Sequence, residues 1–176
     1  MTSDRKVTCG TLTQDNDLSR SEDSLRAVME MAKALGRSSN DMAAHFHPDF
    51  RWMGNTGCGT KNGLAEFRRN WQLPLRAAFS DRVYIEEAMF AQGEWVAGFG
   101  YIEATHSGAF MGIAPTGKRI RIKYMDFWKV REGKIVDNWV SVDYPYVLAQ
   151  LGVDVFNGEG WEKYDEGRAI PPAPAA

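Results

Sequence analysis

Residues 119–142 read RIRIKYMDFWKVREGKIVDNWVSV, two runs of alternating side chains on either side of Arg131-Glu132-Gly133-Lys134. Alternation with a period of two is typical of β-strands whose two faces meet different surroundings. A short connection with a glycine that can adopt positive φ predicts a tight hairpin. The stretch therefore predicts an antiparallel pair of strands, Arg119–Val130 and Ile135–Val142.

The chain before this hairpin predicts further strands and, earlier still, helices. Strands are predicted over Val83–Ala91 and Trp95–His106, with a short one at Asp49–Met53. Apolar spacing, caps and breakers predict four helices: one that stops at Gly36, one from Ser39 or Asn40 to Phe46, one that starts near Asn62 and is kinked at Pro74, and one that Asp143 caps. Helices followed by a strand meander predict an α+β fold with helices on one face of an antiparallel sheet.

The composition is that of one globular domain. The 176 residues are 44% hydrophobic and 25% charged, which excludes a wholly disordered or collagen-like chain. A net charge of −2 leaves no basic excess for a phosphate backbone, so nucleic acid is not an expected partner. Residues 1–18 are predicted to be a flexible leader, 19–156 the domain, and 157–176 an extension that ends in a disordered Pro/Ala tail.

The N-terminus and the two cysteines indicate where the protein works. No apolar stretch at the N-terminus resembles a secretory signal, and none elsewhere is long enough to cross a bilayer. Cys9 and Cys58 show no metal-binding or redox spacing, which is typical of free thiols in a reducing compartment. We expect a cytoplasmic protein without membrane contact.

Asp126 is out of place in its strand. It shares a face with Tyr124 and Trp128, in a row that is otherwise apolar and should pack against the helices. A carboxylate there must be hydrogen-bonded, paired or protonated, since an unpaired buried charge is very unfavourable. Burial raises a carboxyl pKa, which suits an acid or base near neutrality. Asp126 is therefore either a catalytic group or a structural one bonded to a neighbouring Arg or Tyr.

The partner strand offers an amide beside that carboxyl. Asn138 lies on one face with Val140, and the predicted hairpin places this face next to Asp126. An Asp–Asn pair that projects into one cavity suits proton transfer next to a carbonyl, although Asn138 could also serve only to satisfy Asp126. Trp52, Trp71 and Trp128 are expected to form the apolar wall of such a cavity.

The connection from His106 to Lys118 is long for a hairpin and carries apolar side chains between three glycines. We expect it to fold over the cavity mouth or onto a partner subunit, with Phe110 outside the helix core and in contact with the ligand. His106 at its base is a candidate general acid or base, or else a strand-end histidine bonded to a carbonyl.

Two other features have less specific interpretations. His45-Phe46-His47-Pro48-Asp49 spaces three possible ligands, but no fourth follows, so no metal site is predicted and His47 is instead placed at the pocket. Apolar Met125, Phe127 and Trp139 lie on the face turned away from the helices. Such a face usually marks an interface, so we expect a homodimer that packs sheet to sheet.

Two segments resemble a known family. THSGAFMGIAPTGK at 105–118 is similar to the T-H-x-G-x-F-x-G-I-x-P-T-G-[KR] signature of SnoaL-like polyketide cyclases. GKIVDNW at 133–139 resembles that family's G-K-I-V-E-H-W segment, and DFWKV at 126–130 also fits. The likeness is close from Thr105 to Trp139 and looser from Ser24 to Gly152.

The resemblance implies the fold of nuclear transport factor two and cystatin-like proteins: a cone with a curved sheet, helices on its concave face and a deep apolar pocket. It also implies cofactor-free chemistry in which a carboxylate takes a proton next to a carbonyl, as in aldol cyclisation or isomerisation. The family's catalytic Asp follows the Trp of the last motif, where this chain has Val140, and Asn138 replaces the His before that Trp. Asp126 on the neighbouring strand is the carboxylate that could take over.

Three functions are compatible with these features. The first is a cofactor-independent enzyme acting on a small, mostly apolar, carbonyl-bearing molecule, with Asp126 as acid or base and Asn138, Tyr124 and His106 as orienting groups. The second is a module of the same fold that binds a small ligand without chemistry. The third is a protein-interaction module that uses the sheet face alone.

Overall fold

The structure, a computed structural model, describes residues 18–37 and 42–171. Its helices are α1 (Leu18–Gly36), α2 (Gly63–Phe67), α3 (Leu73–Ala78) and α4 (Tyr144–Gln150), with a π-helical turn (Arg68–Gln72) between α2 and α3 and a 3-10 turn (Trp161–Tyr164) after α4. Its strands are β1 (Phe46–Gly54), β2 (Thr60–Asn62), β3 (Phe79–Gln92), β4 (Trp95–His106), β5 (Arg119–Arg131) and β6 (Lys134–Val142).

The six strands form one sheet in the order β2-β1-β6-β5-β4-β3, and α1 packs across β3 to β6. The α+β fold with helices on the concave face is confirmed. The predicted antiparallel pairing holds from β3 to β6, whereas β1 runs parallel to β6. The sheet is therefore mixed, because the chain passes through the helices and the meander before β6 returns beside β1.

The hairpin that decides the fold forms as predicted. β5 pairs antiparallel with β6, and Glu132-Gly133 takes positive φ at the turn. Along β5 the burial alternates strictly, with Ile120, Ile122 and Trp128 buried and their neighbours exposed. The carboxylate of Asp143 accepts the backbone N–H of Tyr146 at 3.0 Å, so the predicted cap of α4 is also confirmed.

The predicted helix from Ser39 or Asn40 to Phe46 is wrong in its described part. Residues 38–41 lie outside the described residues, 43–45 form a turn, and β1 begins at Phe46. A break in the β1–β6 register lets Phe46 and Phe50 both reach the core, with ring centroids 4.3 Å apart. Burial of two aromatic rings outweighs the weak helical pattern of this stretch.

The ends of the chain are covered only in part. Of the predicted leader, residues 1–17 lie outside the described residues, and Leu18 already begins α1. The C-terminal extension up to 171 consists of turns, and residues 172–176 are not described. None of the helices within the described residues combines the length and hydrophobicity that a bilayer crossing requires.

Candidate functional site

A cavity of about 130 Å³ lies between α1, the helical segment 63–78 and the concave face of the sheet. Its walls are mostly apolar, and Tyr84 is the exposed member of the lining, which places the mouth near β3. A cavity of roughly 150 Å³ accommodates one benzene ring. Seven of the predicted site residues share this cavity: Trp52, Trp71, Tyr124, Asp126, Trp128, Asn138 and Val140.

Asp126 is the buried carboxyl of the cavity, with 9% of its surface exposed. Asn138 Nδ2 donates to its Oδ1 at 2.8 Å, which confirms that the two side chains meet. The predicted Arg or Tyr partner is not found among the described hydrogen bonds, whereas the alternative that Asn138 serves to satisfy Asp126 agrees with this contact. Burial raises the pKa of Asp126 to about 7, the Asn138 hydrogen bond opposes the rise, and the charge of Glu86 adds to it.

Glu86 is a second carboxyl near the site that the sequence analysis did not identify. The hydroxyl of Tyr124 donates to its Oε1 at 2.8 Å, so the phenol proton of Tyr124 is already engaged. Desolvation raises the pKa of Glu86, and burial together with this carboxylate raises the pKa of Tyr124. Glu86 lies two residues after Tyr84, which lines the cavity, so the two share the inner face of β3, and the register of β3 shifts just after Glu86. Alternation read from the sequence does not reveal such a shift.

Two glycines of β4 form the part of the sheet opposite Asp126 and Tyr124. Gly98 pairs with Asp126, and Gly100 pairs with Tyr124. A Cβ on Gly100 would lie 2.1 Å from the carbonyl oxygen of Ile85, so the backbone of β3 approaches too closely for a side chain. These glycines leave room on the inner face and permit the β3 irregularity that positions Glu86.

The aromatic wall comes from β1 and the helical segment. The rings of Trp52 and Trp71 lie 4.6 Å apart at 31°, and Phe67 lies 5.9 Å from Trp52. Predicted kinking at Pro74 takes the form of the π-helical turn directly before α3, since proline cannot donate the regular helical hydrogen bond. This turn buries Gln72 at the cavity, a residue that regular helical spacing did not single out.

His106 and Phe110 lie outside the cavity. The ring of His106 is fully buried, and its Nδ1 lies 3.1 Å from the Thr116 hydroxyl, so it holds the base of the 107–118 loop. Phe110 packs 4.9 Å from the ring of Phe79 and borders the core, which corrects the expectation that it lies outside it. The loop turns back on the end of the sheet rather than over the cavity mouth near Tyr84.

His47 also lies away from the cavity. Its ring is 3.2 Å from Arg131, which in turn donates to Asp49 at 2.8 Å. Arg131 at the end of β5 draws both side chains to that edge of the sheet. Within the described residues, no three His, Cys, Asp or Glu side chains converge on a point that could hold a metal ion.

Comparison with known proteins identifies relatives of this chain. The family model of SnoaL-like polyketide cyclases matches residues 16–151. Nogalonic acid methyl ester cyclase of Streptomyces nogalater is 29% identical over 136 residues, which are 76% of this chain and 98% of that enzyme.

Solved structures share the fold. AclR of Streptomyces galilaeus, a proposed hydroxylase, is 25% identical with a TM-score of 0.65 over 74% of this chain and 96% of its own. IdmH of Streptomyces antibioticus, a proposed polyketide cyclase, is 24% identical with a TM-score of 0.66 over 74% and 99%. The family model spans both the cavity and the quoted motifs, so the chain belongs to the SnoaL-like polyketide cyclase family.

Proposed function

We propose that this protein is a cofactor-independent enzyme that removes a proton next to a carbonyl group of a small, mostly apolar molecule. The observation that carries the proposal is the buried carboxyl of Asp126, held by Asn138 in an apolar cavity. A pKa raised to about 7 makes this carboxyl a stronger base than an ordinary aspartate while leaving a large ionised fraction near neutrality. Family membership supports aldol cyclisation or isomerisation as the overall reaction.

The proposed step is balanced by groups of the chain itself. Asp126 takes a proton from the carbon next to the carbonyl, and the C–H electron pair forms an enolate. The enolate carbon attacks a second carbonyl of the same molecule, which makes a C–C bond and an alkoxide. Asp126 returns the proton to that alkoxide, so no oxidant, reductant or cofactor takes part.

The two oxygens of Asp126 have different surroundings. Asn138 holds Oδ1, and none of the described hydrogen bonds reaches Oδ2, which is the oxygen proposed to take the proton. Trp52 and Trp71 supply flat apolar walls for an unsaturated ring. Val140, directly opposite Asp126 on β6, keeps that side of the carboxyl apolar and thereby contributes to the raised pKa.

Exchange of hydrogen for deuterium tests the first step without knowledge of the natural substrate. Indanone is a flat bicyclic ketone whose second ring must extend from the one-ring cavity towards its mouth. It is incubated with the protein in deuterated buffer, and loss of its α-hydrogens is followed by NMR. Wild type should exchange them faster than buffer, and Asp126→Asn should slow this by about 10²–10⁴-fold. Glu103→Gln, the same change on the outer face, should leave the rate unchanged. Equal rates for wild type and Asp126→Asn would exclude Asp126 as the base.

A binding module without chemistry is the second candidate. It is favoured by Val140, which stands where the family's catalytic Asp is expected, and by the hydrogen bond from Asn138 that already engages one oxygen of Asp126. This candidate predicts tight retention of apolar ligands, no α-hydrogen exchange, and equal ligand affinity for wild type and Asp126→Asn.

We further propose that the outer sheet face joins two copies of this chain. One row of paired residues crosses five strands there, and we call it the outer row: Phe90, Ala97, Phe127, Trp139 and Met53. Phe127 and Trp139 are 53% and 38% exposed, and the charge of Lys129 beside the row is already paired with Glu94. An apolar stripe with a neutralised rim is complementary to its own copy in a twofold contact.

A further inference from the structure

Gln72 presents an unsatisfied donor to the cavity. Its side chain lines the cavity and only 6% of the residue is exposed. Its Nε2 has no hydrogen-bond partner among the described residues. A buried amide left without a partner costs about 1–3 kcal/mol, and the large majority of buried amides have one. A side chain of this kind is therefore suited to a partner that is not part of the chain.

The local backbone explains why an amide faces an apolar cavity. The N–H of Leu73 donates to the carbonyl of Arg68, five residues back, which defines the π-helical turn. A π turn holds more residues than an α turn, so neighbouring residues are rotated by less. Trp71 and Gln72 both line the cavity from this turn. Such turns are frequent at functional sites.

Polar groups across the cavity are already engaged. Tyr124 donates its hydroxyl proton to Glu86 at 2.8 Å, and Asn138 Nδ2 donates to Asp126 at 2.8 Å. The sheet thus supplies a base and its holder, and the helical segment supplies the amide whose N–H is unused. The two walls differ in the chemistry that they offer to a ligand.

We propose that the Gln72 amide donates a hydrogen bond to a carbonyl oxygen of the bound molecule, so that the cavity selects ketone-bearing apolar rings over hydrocarbons of the same shape. The inference rests on the proposed function in one respect: this oxygen is the one that gains negative charge when Asp126 removes the α-proton. A donor aimed at that oxygen stabilises the enolate more than the ketone.

Binding of indanone and of indane, its hydrocarbon counterpart, tests the selection. Quenching of tryptophan fluorescence reports binding, since Trp52 and Trp71 line the cavity. Wild type should bind indanone about tenfold more tightly than indane, the upper range for one net hydrogen bond. Gln72→Leu should abolish that preference and leave indane affinity unchanged or improved. Gln92→Leu, at the exposed end of β3, is the matched control and should keep the preference.

A second measurement separates a ligand contact from a structural role. Because Nε2 of Gln72 has no partner among the described residues, Gln72→Leu should hold or raise the midpoint of denaturant unfolding. A lower midpoint would mean that Gln72 supports the fold and would overturn the inference. No measurable preference for the ketone in wild type, or a preference that survives in Gln72→Leu, would overturn it as well.

The exchange assay distinguishes this failure from that of the proposed function. A ketone preference that depends on Gln72, without α-hydrogen exchange, supports the donor and refutes the base. Exchange that depends on Asp126, with a preference that survives Gln72→Leu, supports the base and refutes the donor.

Discussion

Each face of β5 carries a residue type that stability alone would not select: a carboxyl on the buried inner face and apolar side chains on the exposed outer face. On the inner face Asp126 is buried between Tyr124 and Trp128. On the outer face Met125 and Phe127 are 59% and 53% exposed. A strand built only for folding would exchange these residue types, with the carboxyl in water and the apolar groups in the core.

From this contrast we infer that each face of β5 is suited to contact with a second molecule. A buried carboxyl loses hydration that its one amide partner only partly replaces, and the apolar outer row gains nothing until it is covered. Conflicts between a residue and its surroundings concentrate at functional sites. Under the proposals made above, a ligand would resolve the inner conflict and a second copy of the chain the outer one.

The largest expected effect is the pH dependence of stability that Asp126 introduces. The folded pKa of about 7 lies above the ordinary value of 3.8, so the folded state holds a proton that the unfolded state releases. The contribution of Asp126 to the free energy of unfolding is therefore greatest below about pH 4, falls as pH rises towards 7, and then levels off. The loss is on the order of 4 kcal/mol. Asp126→Asn should remove it and be the more stable form at pH 8, as measured by denaturant unfolding.

If the free energy of unfolding of Asp126→Asn depended on pH as that of wild type does, burial on the inner face would not be raising the pKa of Asp126. Glu103→Gln on the outer face is the control, because that carboxylate lies outside the cavity, is 31% exposed and is paired with Arg121.

Next in size is the effect of a methyl group on the inner face. Gly100→Ala would place a Cβ 2.1 Å from the Ile85 carbonyl oxygen, a contact that only backbone movement can relieve. We expect a loss of about 3 kcal/mol in unfolding free energy, the upper range for overpacking. Gly36→Ala at the end of α1 is the space control, since nothing lies within 4 Å of its added Cβ and its φ is not positive. Equal losses for both would mean that β3 is not held against Gly100.

A smaller effect is expected on the outer face. Trp139→Glu places a charge within the outer row and should weaken self-association at least about 30-fold, the cost of losing a hot spot. Sedimentation velocity at micromolar concentrations measures this. Trp161→Glu, at an 83% exposed position beyond the sheet, should leave the dimer intact. A wild type that sediments as a monomer would refute the dimer.

Phe110→Ala should have the smallest effect and should affect neither ligand binding nor association strongly. Phe110 packs on Phe79 and Tyr144 at the end of the sheet, half-buried and away from both functional faces. Its loss should lower unfolding free energy by about 1–2 kcal/mol, less than for a fully buried ring. A large drop in indanone affinity at unchanged stability would mean that the 107–118 loop contacts the bound ligand.

The sequence predicted the strands and the Asp126–Asn138 pair because both depend on local alternation and a short turn. β4 spans Trp95–His106 as predicted, and the hairpin register then brings the two polar side chains together. Prediction failed where position depends on distant strands or irregular backbone. His47 lies at the start of β1, whose parallel partner β6 was not predicted, and His106 lies at the end of β4, where the following loop closes on it. The π turn at Gln72 and the register shift after Glu86 are irregularities that the sequence pattern does not show.

The parallel contact of β1 with β6 has a consequence for how the molecule assembles. Arg51 and Asp137 are ion-paired at 2.8 Å across 86 residues of sequence, whereas β3 to β6 pair with their neighbours in the chain. Closing a long loop is entropically costlier and slower than closing a short one. The meander should therefore form first, and β1 should dock on it last, bringing Trp52 with it. During synthesis the aromatic rings of β1 cannot pack against the sheet until β6 has left the ribosome. The cavity is therefore completed only at the final stage of folding.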